Sequence, residues 1–114
     1  MADRQLYKLH ANICHILANP KRLEIIDTLR TGELSVSGLA EVLEISQANL
    51  SQHLALMRQG GIVSTRRERL NVFYSLSNPK IIQACDLMRQ VLLEHLETGA
   101  ELARGKLIEK EPLS

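Results

Sequence analysis

Residues 46–61, SQANLSQHLALMRQGG, decide how the rest of the chain is read. Ser46 is a residue type that caps a helix, and the Gly60-Gly61 pair stops one. Between them Leu50, Leu54 and Met57 repeat at the spacing of one apolar helical face. Opposite that face lie Ala48, Ser51, Gln52 and Ala55, with Gln47, Asn49 and His53 alongside. Residues 46–57 contain no Asp, Glu, Lys or Arg, whereas a merely solvated helix face normally carries Glu and Lys pairs. Small and amide side chains without acids suit a helix that enters a major groove. Asn and Gln can pair bidentately with adenine, and Ser can contact phosphate or base.

Upstream, residues 3–18 place Leu6, Leu9, Ile13 and Leu17 at helical spacing. Asn19-Pro20 supplies an N-cap and a proline for the first helical position. The second helix is expected over about 20–31, with Leu23, Ile26 and Leu29 inward and Gly32 as its stop. Ser35 or Ser37 can cap a short third helix through Glu44, with Leu39, Val42 and Leu43 on its apolar side. Downstream, residues 62–67 and 71–76 read as strands, and Glu68-Arg69-Leu70-Asn71 as a hairpin tip with Asn71 suited to the turn. Asn78-Pro79 restarts helix, expected to run to about Glu97 with Ile81, Cys85, Met88, Leu92 and Leu96 on one stripe. Residues 1–98 form one domain in this reading, and residues 99–114 a charged, frayed tail. The order α-α-α-α-β-β-α is a mainly helical fold with a small hairpin: a helix-turn-helix followed by a wing.

Charge sharpens this picture. The 114 residues carry 14 basic and 13 acidic groups, so the total of +1 points to no nucleic-acid partner by itself. Residues 45–80, however, hold Arg58, Arg66, Arg67, Arg69 and Lys80 against Glu68 alone, a local +4. Phosphate contacts need Arg or Lys at the groove, and Arg66, Arg67 and Arg69 sit on the wing. A solvated hairpin tip would look the same in isolation; beside a charge-free helix face it favours duplex DNA. Only 3% of residues are aromatic, which leaves few platforms for stacking unpaired bases. No run of about 18 apolar residues is present to span a membrane, and the N-terminus lacks a signal-peptide pattern. The two cysteines, Cys14 and Cys85, make no disulfide scaffold, so a cytoplasmic chain is expected. The four histidines are dispersed and no phosphate loop occurs, so an enzyme is not expected.

The segments NPKRLEIIDTL, GELSVSGLAEVLEISQANLSQHLALMRQGGIV and FYSLSNP closely resemble the ArsR/SmtB family, over about residues 5–97. The resemblance implies a homodimeric winged helix-turn-helix repressor. Its first and last helices would dimerise, and the helix at 46–59 would read an inverted-repeat operator until an effector releases it. Ser46, Gln47, Asn49, Ser51, Gln52 and His53 are then the candidate contacts on the helix, with Ser46 chiefly a cap. The family's thiolate metal motif falls on Glu33–Leu39, where both thiolate positions are serines, Ser35 and Ser37. Its zinc site on the last helix falls on Asn78, Lys80, Val91 and Glu94, of which only Glu94 can ligate. Both standard metal sites are therefore expected to be lost, which leaves a soft metal ion as the one cofactor still open.

Three readings of the thiols stay open. Cys14 and Cys85 can act as a redox or sulfur-species switch if the two helices meet in the dimer. His10 and Cys14, one turn apart, can join Cys85 in a nonstandard soft-metal site. They can also be plain packing residues, which buried cysteines usually are. Beside the effector-released repressor stand two alternatives: a constitutive repressor and a winged-helix protein-interaction module.

Overall fold

A computed structural model describes residues 3–105. Its elements are helix α1 (Arg4–Leu17), α2 (Pro20–Thr28) with a 3-10 turn over Leu29–Thr31, strand β1 (Leu34–Ser35), α3 (Val36–Leu43), α4 (Gln47–Gln59), β2 (Val63–Glu68), β3 (Asn71–Leu76) and α5 (Lys80–Gly105). They fall into two compact units, the first ending at Ile81 and the second beginning at Ile82.

Each helix starts where a side chain satisfies its orphan N–H groups. Asp3 accepts from the Leu6 N–H, Asn19 from those of Lys21 and Arg22, and Ser35 from that of Gly38. Ser46 accepts from the Asn49 N–H and Asn78 from that of Lys80. Such caps are worth about 0.5–2 kcal/mol each. Of the two serines that could open α3, Ser35 does so.

The first unit closes around Ile16, Ile25, Ile26, Leu29, Leu39, Ala40, Leu43, Leu50, Leu54, Met57, Ile62 and Val63. The apolar face expected on α4 is fully buried at Leu50, Leu54 and Met57. Fully burying a side chain of this size contributes roughly 1.5–3 kcal/mol. The α3–α4 turn passes through Glu44 in the left-handed region (φ 58°), and the Ile45 N–H returns to the Ala40 carbonyl. Gly60 makes a close approach: a Cβ there would overlap the Ile16 Cδ1 methyl, which would have to shift where the end of α1 seats against the end of α4.

Several expectations need correction. The second α-helix ends at Thr28, and only a tight 3-10 turn reaches Gly32. Leu6, Leu9, Leu23 and Val42 are exposed, whereas Ile26, Leu29, Leu39 and Leu43 are buried as expected and Ile16, Ile25 and Ala40 join them in the core. On the stripe expected along α5, Ile81, Cys85 and Leu92 are half-buried, and Met88 (68%) and Leu96 (42%) are exposed. That helix does not stop near Glu97. The strong helix formers Ala100 to Arg104 follow Gly99, and a single interior Gly costs only about 1 kcal/mol. Residues 106–114 of the expected tail lie outside the described residues.

The wing is one strand richer than its sequence suggested. The sheet order is β1-β3-β2, antiparallel throughout, with Leu34 opposite Tyr74 and Arg66 opposite Phe73. Asn71 is the first residue of β3, and the turn is made instead by Arg69 with φ 58°. A positive φ at Arg69 but not at Leu70 follows the sign pattern of a type II′ turn, where Gly is the usual choice.

Candidate nucleic-acid interface

With Leu50, Leu54 and Met57 anchored, α4 exposes Gln47, Ala48, Asn49, Ser51, Gln52 and Ala55 in one uncharged field. Ser46 is exposed at the helix start, its hydroxyl engaged by the Asn49 N–H. The structure adds three neighbours to these candidate contacts, of which the sequence had counted Arg58 only toward the local charge. Leu56 is exposed on the same helix, and Arg58 and Gln59 extend the face toward the sheet. Ser51, Ala55, Arg58, Gln59 and Tyr74 line an open depression of about 430 Å³ between α4 and the wing. Two hydroxyls, a guanidinium and an amide surround it, with no acid in its lining. Arg58 and Gln59 belong to the same helical face as Ser51 and Ala55, so continuing the period by one turn would have found them.

His53 differs from its neighbours on α4. It is half-buried, and its Nδ1 accepts from Arg22 Nε at 3.2 Å; Arg22 Nη1 also donates to the Ile16 carbonyl at 3.1 Å. Burial, and then the charges of Arg22 and Lys21, hold the imidazole below its ordinary pKa.

The three wing arginines also divide. Arg66 Nη2 meets Glu33 at 2.6 Å and its Nη1 meets Glu68 at 3.2 Å, while the guanidinium lies 4.8 Å from the centre of the Phe73 ring. The hydrogen bond from Arg66 holds the Glu33 carboxyl below its ordinary pKa; Glu33, then Glu68, push the arginine further up. Arg66 therefore braces the hairpin against the segment before β1. Arg67 and Arg69 are exposed and form no ion pair among the described residues.

The candidate sensing residues lie on α1 and α5. His10 and Cys14 are exposed one turn apart on α1, and Cys85 is half-buried on α5. Among the described residues no three His, Cys, Asp or Glu side chains are grouped to hold a metal ion. Ser35, in the position of a family thiolate, instead caps α3. No helix among the described residues is long and apolar enough to cross a membrane.

Residues 19–65, from the cap of α2 to the middle of β2, match the family described as bacterial regulatory protein, arsR family. Over 75 residues the chain is 44% identical to the transcriptional activator HlyU of Vibrio cholerae, a match covering 66% of this chain and 69% of HlyU. The chain belongs to the ArsR family. It is a transcriptional regulator with a winged helix-turn-helix fold, and not an enzyme. The biofilm growth-associated repressor of Xylella fastidiosa is 42% identical over 73 residues, 64% of each chain. Among solved structures, the homodimeric winged helix-turn-helix DNA-binding domain Mb0332 of Mycobacterium bovis superposes with a TM-score of 0.76 at 31% identity. That match covers 86% of this chain and 93% of the solved Mb0332 fragment, residues 1–100.

Proposed function

We propose that this ArsR-family regulator is a cytoplasmic homodimer that represses transcription by binding an inverted-repeat operator in double-stranded DNA. One observation carries the reading: an uncharged amide and hydroxyl face on α4 beside a wing tip whose Arg67 and Arg69 are exposed and form no ion pair among the described residues. Gln47, Asn49, Ser51 and Gln52 would meet base edges in the major groove, and Arg67 and Arg69 the backbone beside it. Arg69 adds to this assignment, because a cation stands where the positive φ of the turn favours Gly. The homodimeric state of Mb0332 and the exposed Met88, Val91 and Leu96 on α5 support a two-fold assembly. Such a dimer would read half-sites about one helical turn apart, or a multiple of that. HlyU is named an activator and the Xylella protein a repressor, so transcription from the bound promoter is the measurement that decides direction.

Selection from a randomised duplex pool tests the core of the proposal. The expected product is a palindromic consensus whose affinity falls steeply with salt. Enrichment of no duplex would overturn it.

For the input, we propose a thiol-dependent release, through oxidation, a sulfur species or a soft metal at Cys14 and Cys85. The exposure of Cys14 and its neighbour His10 support access from solvent. The double variant Cys14→Ser/Cys85→Ser is expected to stay on DNA when oxidant, persulfide or soft metal is added. Unchanged release in that variant would leave a repressor without thiol input.

A further inference from the structure

We infer that Arg22 fixes His53 as a neutral, outward hydrogen-bond donor, and that this donor holds a phosphodiester oxygen of the bound duplex rather than reading a base. The inference rests on the DNA-binding reading above. A guanidinium has only donors, so the nitrogen facing Arg22 Nε at 3.2 Å must present a lone pair. With Nδ1 accepting, the ring proton of neutral His53 sits on Nε2. This nitrogen has no hydrogen-bond partner among the described residues. No side-chain nitrogen or oxygen without a partner is buried among those residues either, so Nε2 opens to solvent as a free donor. The depressed pKa of the ring accords with this state.

The class of acceptor follows from placement. A half-buried ring tied to α2 stands on the flank of α4, not on the outward line of Ala48, Gln52 and Ala55 that a groove floor would meet. Lys21 and Arg22 supply positive potential there, which favours an anionic oxygen over a neutral base edge. Arg22 is thus a positioning residue. It acts on DNA through the ring it orients, while its second hydrogen bond, to the Ile16 carbonyl, holds its own guanidinium in place.

Two substitutions separate the two nitrogens. In His53→Asn the amide oxygen can still accept from Arg22, but the outward donor is gone. In His53→Gln the amide NH₂ can stand near Nε2, but the acceptor for Arg22 is lost. Binding is measured on the duplex enriched by the wild-type protein and on an unrelated duplex, alongside thermal unfolding. His53→Asn is expected to melt near wild type and to bind both duplexes about tenfold more weakly, the size of one charge-assisted hydrogen bond. Its salt slope should be unchanged, because a neutral donor releases no counterion. His53→Gln is expected to melt lower but to bind more tightly than His53→Asn. Wild-type binding by His53→Asn would overturn the inference, as would a loss confined to the enriched duplex. Ring nitrogen NMR gives a test independent of either variant's folding. The wild-type ring should be wholly the Nε2–H tautomer at neutral pH and should relax in Arg22→Ala toward the tautomer mixture of a free imidazole; an Nδ1–H ring in the wild type would overturn the inference. A wild-type protein that binds neither duplex would instead overturn the DNA-binding reading itself.

Discussion

Helix α4 and the wing stand on one scaffold and carry opposite chemistry. The helix presents amides, hydroxyls and methyl groups over a fully buried apolar face, with no formal charge before Arg58. The wing presents the guanidinium groups of Arg67 at the end of β2 and Arg69 in a two-residue turn, with Leu70 at its tip 94% exposed. Hydrogen bonds from neutral groups discriminate between bases, whereas charge on phosphate gives affinity without sequence. The contrast teaches that each job has its own kind of support. The helix is positioned by packing and the wing by strand pairing, to which the exposed ion pair of Arg66 with Glu33, across 33 residues of sequence, adds a brace.

The largest expected effect removes the support common to both. Leu54→Ala should lower the unfolding free energy by about 2–5 kcal/mol in denaturant melts, a large part of the total for a small domain. Binding through helix and wing should then fail together. Next, Gln52→Ala should cost about 1–3 kcal/mol on the selected duplex and little on unrelated DNA, relaxing one position of the consensus. Equal loss on both duplexes would erase the proposed division of labour. Arg69→Gly should weaken all sequences alike and flatten the salt slope by about one phosphate contact. The same change should stabilise the fold by up to about 1 kcal/mol, because it removes a Cβ from the left-handed region. Binding and melting are thus expected to move in opposite directions at this position.

The smallest effect is in pH. His53 is held below its ordinary value of 6.5 in the folded chain, so the unfolded chain takes up the proton first as pH falls. Its contribution to stability is fully present above about 6.5 and is lost as pH falls from there toward the folded value. Wild-type melting temperature should therefore drop over that window more steeply than that of His53→Asn. Parallel curves would show that the ring is not protected.

The sequence was legible wherever short-range pattern governs. The Asn19 and Asn78 caps, each followed by proline, the Ser46 start of α4 and the Leu50, Leu54, Met57 face can all be read within a few residues of themselves. Illegible features depend on residues far apart in the chain. Strand β1 is two residues long and exists only because β3 pairs with it. Arg66 looks like Arg67 and Arg69 until Glu33 is seen beside it, and His53 looks like a free reader until Arg22 is. Leu6 and Leu9 follow the helical period yet are exposed, because periodicity marks an apolar face without saying what covers it.

The two hydrogen bonds of Arg22 have a mechanical consequence. A guanidinium is a flat, rigid plate, and here one edge is fastened to the last turn of α1 at the Ile16 carbonyl and another to the ring on α4. The plate works as a strut of fixed length. The end of α1 and the flank of the reading helix can move together as one piece, but neither can slide past the other without snapping a bond.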